Sequence, residues 1–371
     1  MIFSLIIVSI MMVFALIGII DIIFLHNKLG LGNEFKKGFD LVGPLILGIT
    51  GIICFVPVIA NFLNLTITPL YKALNLDPSM AVTAILAMDM GGFQLAKEIA
   101  FDSLIGEWAG VVYGSMMGAT IVFSIPVGLA TIRKEDVTYF ARGTLFGIAA
   151  IPFGTFIGGL MMGIDFMIII VNLIIPCLLS LIIILCLLFI PKITIKIFKG
   201  FSVFVNGFSL IALFIAIVKD LIIIPFTNIG LLNIGENSFI NMINSTTEGI
   251  LISGQIGLVL CGTLPFVAVL MKMVKKPLKV MSVKTGISEI GLTSFLITSA
   301  SSMGMLPYIE KMENKEKVMN IAFATCSAWV IGDHLAFCAT NAPHLIAPMM
   351  VAKLSSGVLA IIMAYLFSRK L

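Results

Sequence analysis

Long apolar runs limit the folds open to this chain more than any other feature of its sequence. Runs of roughly 18 or more apolar residues recur from one end to the other, and each is a candidate membrane span. The chain has 371 residues, 60% hydrophobic and only 11% charged, which leaves too little polar surface to cover a soluble core. We therefore predict an all-α polytopic membrane protein, embedded in the lipid bilayer, with one transmembrane domain over 1–371. The predicted membrane segments are 2–24, 41–63, 80–96, 108–131, 143–163, 167–190, 198–219, 249–272, 288–306, 319–340 and 344–367.

Charge, cysteines and motifs exclude several classes of function. A net charge of +4 with scattered lysines is not the pattern of a nucleic-acid-binding protein, because basic residues in membrane proteins mostly mark cytoplasmic loops. The six cysteines lie in apolar runs, which indicates small buried side chains rather than disulfides or metal ligands. The chain has no Gly-x-Ser-x-Gly elbow, HExxH motif or P-loop. We predict no enzyme activity, no cofactor and no metal site.

The basic loops predict the orientation in the membrane. Lysine and arginine cluster at 28–37, 133–142, 192–199, 272–284 and 311–317 and at the C-terminal Arg369 and Lys370. If every segment crossed the membrane, these loops would fall on both sides, against the positive-inside rule. With 80–96 and 288–306 as re-entrant hairpins, about nine helices span, all strongly basic loops are cytoplasmic, the N-terminus lies outside and the C-terminus inside. We expect 191–200 to be a short interfacial connector, and the topology of 191–247 stays open.

Matching prolines suggest an internal repeat. The stretches GIICFVPVIANFLNLTITPL and VLCGTLPFVAVLMKMVKKPL align so that Pro57 matches Pro265 and Pro69 matches Pro277. The two candidate hairpins follow at nearly the same offset, and the re-entrant topology gives the halves opposite orientations. We therefore predict an inverted-repeat transporter architecture with halves at 41–163 and 249–367.

The first candidate hairpin contains the strongest candidate for a binding residue. A charge at the bilayer centre costs about 2.5–3.5 kcal/mol, so Asp89 needs a partner or a function there. Gly91 and Gly92 would break the helix so that Asp89 faces a cation in a cavity. Phe93 and Gln94 follow one turn later, and an aromatic ring beside a carboxylate suits an ammonium group. The alternative is a helix cap at Asp89 and close helix packing at the glycines.

A second polar break lies in WVIGDHLAF, residues 329–337. Asp333 could bind substrate, pair with His334, or hold Lys353 of the last span in a buried ion pair. His334 could relay protons or be a hydrogen-bonded structural residue. Trp329 could stack on a cation or anchor the helix at the interface.

Several stretches match the pattern of one known family. They are LGLGNEFKKGF (29–39), GPLILGITGIICFVPVIAN (43–61), DPSMAVTAILAMDMGGFQLA (77–96), GSMMGATIVFSIPVGL (114–129), RKED (133–136) and GDHLAF (332–337). Over essentially the whole chain, the sequence resembles the EutH family of bacterial ethanolamine permeases. This resemblance implies a multi-pass protein of the bacterial cytoplasmic membrane that imports ethanolamine, which cytoplasmic catabolic enzymes then consume.

The implied substrate fits the candidate residues. Ethanolamine is a primary amine and, like lysine, mostly cationic at neutral pH, so it requires a carboxylate, an aromatic face and a polar group for its hydroxyl. The residues expected to supply these are Asp89 with Phe93, Asp333 with Trp329, and Ser301, Ser302 or Asn61 for the hydroxyl.

Other functions stay open at this stage. The protein could carry or conduct another small solute, such as ammonium or a different amino alcohol, with coupling to H⁺ or Na⁺. It could also be a membrane scaffold for the ethanolamine catabolic machinery, although no loop is long enough for a folded soluble module. The protein could also form a homo-oligomer, since the sequence does not determine the oligomeric state.

Overall fold

Helices form all the regular structure in the part of the chain that the computed structural model describes, which is residues 2–233, 235 and 238–367, with Lys275 described by its backbone alone. Arg369 and Lys370, which contributed to the predicted orientation, lie outside the described residues. The helices are α1 (Ile2–Ile23), α2 (Leu31–Asp40), α3 (Val42–Thr66), α4 (Thr68–Ala73), α5 (Ser79–Thr83), α6 (Phe93–Ile99), α7 (Ser103–Thr131), α8 (Val137–Met161), α9 (Phe166–Phe189), α10 (Pro191–Asn228), α11 (Thr246–Thr285), α12 (Glu289–Ala300), α13 (Ser302–Met305), α14 (Asn314–Ser327), α15 (Asp333–Asn341) and α16 (Ile346–Phe367).

Eight helical stretches of the described chain are long and apolar enough to cross a membrane. Their lipid-exposed faces carry many large apolar side chains, as expected where the surrounding solvent is hydrocarbon. The prediction of an all-α polytopic membrane protein is therefore confirmed. The predicted span 319–340 is not one of the eight, because it is divided into α14 and α15 by a break at residues 328–332.

The predicted connector at 191–200 was wrong, because α10 begins at Pro191 and runs through this stretch without a break. Proline is favoured in the first turn of a helix, where its missing N–H has no partner to lose. Lys192, Lys196 and Lys199 are exposed and share one helix face. The basic residues that suggested a loop are therefore the polar face of a membrane helix near its end.

The first interrupted region, which we call the first broken segment, covers residues 77–102. Short helices α5 and α6 are separated by a turn in which Met90 and Gly91 leave helical geometry. The carboxylate of Asp77 accepts hydrogen bonds from the backbone N–H groups of Phe101 (2.9 Å) and Asp102 (3.3 Å). The chain thus returns at residue 101 to the place it left at residue 77.

The second broken segment covers residues 288–316 and is closed in the same way. Helix α12 ends at Ala300. The next residue, Ser301, has an extended backbone (φ −158°, ψ 124°), and α13 follows directly. The carboxylate of Glu316 accepts hydrogen bonds from the backbone N–H and the hydroxyl of Ser288, the latter at 2.6 Å. A carboxylate therefore joins the start and end of each broken segment.

Contacts with α8 place the bases of the two segments at opposite ends of the helix bundle. At the start of α8, Asp136 pairs with Lys317 (2.6 Å), next to the Glu316 that closes the second segment. Near the end of α8, the carbonyl of Thr155 accepts a hydrogen bond from the indole of Trp108 (2.8 Å), which follows the first segment closely in sequence. The two segments thus enter the bundle from opposite ends of α8.

Candidate functional site

A small cavity lies where both broken segments meet α7 and the break between α14 and α15. Its volume is about 60 Å³, room for a few water-sized groups. The first segment contributes its central turn, the second contributes one methionine, and α7 contributes the wall between them. The lining residues are Ala87, Asp89, Met90, Ala119, Phe123, Met303, Trp329, Asp333 and His334.

The turn that carries Asp89 requires glycine. Gly91 has a left-handed backbone (φ +81°), and a Cβ there would lie 2.5 Å from the Cγ2 atom of Ile52. A Cβ on Gly92 would lie 2.5 Å from the carbonyl oxygen of Ala87. Because L side chains are disfavoured at positive φ, the backbone conformation favours glycine at residue 91. Close packing favours glycine at both residues. The tight turn leaves the Asp89 carboxylate 19% exposed, at the cavity.

The break between α14 and α15 is held by the end of α12. The N–H of Trp329 donates to the carbonyl of Thr298 (3.2 Å), and the N–H of Ile331 donates to the carbonyl of Ser299 (2.8 Å). Trp329 itself has a left-handed backbone (φ +59°), a strained conformation for a bulky residue that functional sites often hold. The second broken segment therefore supports the unwound backbone that presents Trp329.

The aromatic wall of the cavity consists of Trp329 and Phe123. Their rings meet edge to face, with centroids 5.3 Å apart and planes at 76°. The ring centroid of His334 also lies 5.3 Å from that of the indole. Electron-rich aromatic faces attract cations most strongly when water is excluded, and Trp329 is almost fully buried.

Two carboxylates face this aromatic wall. The Nε2 atom of His334 lies 4.0 Å from an Asp89 oxygen, which is a long contact that leaves the carboxylate free to take another partner. Asp333 forms no ion pair with any other described residue, although it lines the same cavity. The arrangement therefore offers negative charge and aromatic surface to a small cation.

Lys353 does not pair with Asp333, which corrects one of the partners considered for that carboxylate. The lysine is buried in α16, and its ammonium donates to the backbone carbonyl of Ser115 in α7 (2.6 Å). His334 likewise contacts Asp89 rather than Asp333 among the described ion pairs.

Phe93 and Gln94 lie beside the cavity but do not line it. The ring of Phe93 packs edge to face on Phe337, with centroids 5.7 Å apart, and the ammonium of Lys97 lies 5.1 Å from its centroid. Phe93 thus stabilises the packing of α6 against α15. The side-chain oxygen of Gln94 is buried and has no hydrogen-bond partner among the described residues.

The three residues expected to bind a hydroxyl lie outside the cavity. Asn61 is exposed on α3. Ser302 lines a separate cavity of about 20 Å³ with Ser124 and Thr325, and Ser301 forms the extended joint between α12 and α13. The neighbouring Met303 reaches the cavity instead. The serine-rich pattern predicted the break at Ser301 correctly. It did not predict which side chains there point into the cavity.

Phe123, Ala119 and Met303 line the cavity and were not identified from the sequence. Phe123 and Ala119 belong to the wall of α7, whose residues 108–118 and 120–124 are π-helical. A π-helix rotates the following side chains relative to α-helical spacing and is often found at functional sites. No periodicity of apolar residues distinguishes such a helix in a sequence that is apolar on all sides.

Known proteins match this sequence over nearly the whole chain. The family model for EutH, described as ethanolamine utilisation protein, matches residues 3–367. A probable ethanolamine permease EutH of Listeria monocytogenes is 41% identical over 362 residues, covering 96% of this chain and 92% of the relative. The uncharacterized protein YxeR of Bacillus subtilis is 38% identical, covering 91% and 87%, and a probable ethanolamine permease EutH of Salmonella typhimurium is 36% identical, covering 90% and 84%. No solved structure matches. With a helical membrane architecture, a family match over nearly its full length and these relatives, the chain belongs to the EutH family.

Proposed function

We propose that this protein is a permease, not an enzyme, that imports ethanolamine as its ammonium form across the bacterial cytoplasmic membrane. The observation that carries the proposal is the cavity in which Asp89 and Asp333 face the ring of Trp329. Two relatives at 36% and 41% identity are named probable ethanolamine permeases, which supports the same substrate here.

The size of the cavity supports a very small substrate. Each water needs at least about 10–15 Å³ of such volume, so 60 Å³ holds roughly four water-sized groups. The four non-hydrogen atoms of ethanolamine, two carbons, one nitrogen and one oxygen, match that volume.

The chemistry of the lining supports a hydroxylated primary ammonium ion. The ammonium group would lie between the carboxylates of Asp89 and Asp333, with the ring of Trp329 against the cation. His334 lines the same cavity and provides the polar group that the hydroxyl requires. In this arrangement Gly91 and Gly92 shape the turn rather than touch the substrate.

The two broken segments act as re-entrant hairpins in this proposal. Their carboxylate closures at Asp77 and Glu316, together with their entry from opposite ends of α8, support inverted halves at 41–163 and 249–367. Alternating access then opens the cavity to one face at a time. Eight continuous spans and the interrupted pair α14–α15 then make nine crossings, and the basic loops support an N-terminus outside and a C-terminus inside.

Cysteine labelling tests the hairpins and the orientation together. Single cysteines replace the exposed Lys72 and Lys97, on either side of the turn, and Arg133 after α7 in a cysteine-free variant, because a hairpin puts the first two positions outside the cell and the third inside. A membrane-impermeant thiol reagent applied to intact cells should label positions 72 and 97 and spare position 133. Labelling of only one of positions 72 and 97 before lysis would overturn the hairpin at 77–102.

Transport is tested by uptake of labelled ethanolamine into proteoliposomes that contain the purified protein. Wild type should accumulate label, and Asp89→Asn and Asp333→Asn should each lower uptake at least about 30-fold, since loss of a buried charge partner costs about 2–5 kcal/mol. Asp165→Asn is the matched control, because Asp165 caps α9 and asparagine caps a helix equally well.

Each outcome of the uptake experiment decides a different part of the proposal. Uptake that survives both cavity variants would keep the permease and reject the site. Absence of uptake by folded wild type, with uptake of ammonium or another amine in its place, would reject ethanolamine as the substrate. Equal loss in Asp165→Asn would attribute the effect to folding rather than to the cavity.

A further inference from the structure

Lys353 is a buried cation that the binding chemistry described above does not use. It lies in the first half of α16 with 1% of its surface exposed. An ammonium group inside the membrane is costly and is normally paired. Yet no carboxylate lies within 4.0 Å of its Nζ atom among the described residues, and its one recorded hydrogen bond goes to the carbonyl of Ser115.

The position of Lys353 is fixed by the two elements that form the cavity. Ser115 belongs to α7 one turn before Ala119, which lines the cavity. The second contact comes from Ser327, which lies two residues before Trp329. Its hydroxyl donates to the backbone carbonyl of Lys353 (2.7 Å). The ammonium is therefore held next to the cation site without occupying it.

Ser115, whose carbonyl accepts the hydrogen bond from Lys353, lies in an irregular part of α7. Residues 108–118 form a π-helix, and such a segment disturbs the regular backbone hydrogen bonds of an α-helix. The hydroxyl of Ser115 turns away to the carbonyl of Val112 (3.0 Å). The carbonyl thus accepts the lysine as a neutral partner, so the positive charge of Lys353 is not cancelled locally.

Asp89 and Asp333 line the cavity, and Lys353 is held beside it by its hydrogen bonds with Ser115 and Ser327. The other titratable side chains around these groups are His334, Cys326 and Cys338, which add no charge while the imidazole and thiols are neutral. With both carboxylates ionised and Lys353 protonated, the empty site carries a single negative charge. One monovalent cation brings that sum to zero.

We propose that Lys353 sets the charge selectivity of the cavity, so that the site accepts a single monoammonium substrate and rejects a diammonium one. This inference rests on the proposed function, since it assumes that the cavity binds the substrate amine. Lys353 is a specificity-determining residue in this view and does not touch the substrate. Without it, the two carboxylates would favour a doubly charged amine.

Competition between matched amines tests the proposal in full-length protein in proteoliposomes. Propylamine and 1,3-diaminopropane have the same carbon chain and differ by one charge, since alkylammonium groups stay protonated at about pH 6. Each amine is added as a competitor of labelled ethanolamine uptake. The measured quantity is the ratio of the inhibition constant of propylamine to that of 1,3-diaminopropane. A purely structural role of Lys353 would change uptake but not this ratio.

The expected result is a shift of the ratio toward the diamine by about tenfold or more in Lys353→Gln, given a unit charge removed within several ångströms in a partly buried site. Glutamine retains an N–H donor for the Ser115 carbonyl. Lys353→Arg, which keeps the charge, should leave the ratio close to that of wild type. An unchanged ratio in Lys353→Gln, with ethanolamine uptake still measurable, overturns the inference and leaves the permease intact.

A charge-compensated double variant keeps the proposal testable if Lys353→Gln alone does not fold. Asp333→Asn alone should weaken ethanolamine binding, because the empty site becomes neutral. Adding Lys353→Gln restores a single negative charge and should recover about tenfold in affinity, with monoamine preference restored. A double variant no better than Asp333→Asn overturns the inference. A wild type that neither transports nor binds any amine overturns the proposed function first, and the inference with it.

Discussion

The two broken segments share an architecture and differ in where they place their chemistry. Each is closed by a carboxylate, Asp77 in the first and Glu316 in the second. The first segment carries its charged group, Asp89, on its own turn. The second carries no charged group at its joint, Ser301, and instead holds the neighbouring helix break that presents the aromatic and acidic residues.

The helices that follow the two segments explain the difference. After the first, α7 stays continuous because Gly118 lets its backbone pass against the carbonyl of Leu86, where any Cβ would collide. After the second, the helix separates into α14 and α15, and Gly332 passes against the carbonyl of Ala300. A helix in close backbone contact with a broken segment can thus adapt either by π-helical distortion, as α7 does, or by a break, as between α14 and α15. Only the break exposes polar side chains.

Apart from the cavity carboxylates, the largest effect is expected at the turn of the first segment. Gly91→Ala should lower ethanolamine uptake at least about tenfold, because alanine combines a disfavoured left-handed backbone with a collision against Ile52. Uptake and thermal unfolding are measured together in detergent-purified protein and proteoliposomes.

Gly163→Ala separates the two causes. Gly163 has nearly the same backbone (φ +75°), but a Cβ there meets nothing within 4 Å. This control should cost stability of about 1 kcal/mol from the backbone alone and leave uptake within about twofold of wild type. If both variants lose uptake equally, the contact with Ile52 does not position Asp89.

The carboxylate closures should differ in strength. Asp77 accepts four hydrogen bonds, from Ser79 (two), Phe101 and Asp102, whereas Glu316 accepts two from Ser288. Removing a buried acceptor leaves its donors unsatisfied at about 1–3 kcal/mol, so Asp77→Ala should destabilise more than Glu316→Ala.

Hydrogen exchange followed by mass spectrometry localises this effect. Asp77→Ala should raise exchange in peptides from residues 78–100, and Glu316→Ala in peptides from 289–313. The unchanged segment in each variant is the internal control. Exchange that rises equally in both segments would mean that the closures stabilise the bundle as a whole.

The sequence predicted the spans well because membrane spans depend on local hydrophobicity, which a window of residues contains. It also identified Asp89, since a charge beside Gly91 and Gly92 in an apolar run is costly wherever the chain folds. The structure brings this residue together with Trp329, Asp333 and His334 around one cavity. Intramembrane polarity was the signal in both halves.

What the sequence could not supply depends on contacts between distant elements. Phe123 lines the cavity only because α7 is π-helical and packs against the break after α14. The partner of Lys353 is a backbone carbonyl, which every residue has and no pattern marks. Ser301 and Ser302 were placed at a break correctly, but the alternation of side-chain directions there follows from the extended backbone at Ser301.

A moderate effect is expected at Trp329, which the break presents. Trp329→Ala should weaken apparent affinity for ethanolamine about twofold to 30-fold, the range that cation–π contacts of about 0.5–2 kcal/mol give. Trp329→Phe should lose less, because phenylalanine keeps an aromatic face. Concentration-dependent uptake gives the affinity. Equal affinity in Trp329→Ala and wild type would assign the ring to packing against Phe123 alone.

The smallest effects are expected from exposed ion pairs near the bases of the two segments. Glu107 contacts His344 (2.9 Å) near the first, and Arg133 pairs with Glu310 near the second. Pairs in which one partner is half exposed or more stabilise by about 0–1 kcal/mol, so His344→Gln and Glu310→Gln should each leave unfolding and uptake nearly unchanged. Thermal unfolding at low and high salt measures both. A loss above about 2 kcal/mol in one variant alone would exceed what a screened surface pair supplies. That segment would then be held by its exposed pair as much as by its buried carboxylate, and the two segments would differ in how they are closed as well as in where they place their chemistry.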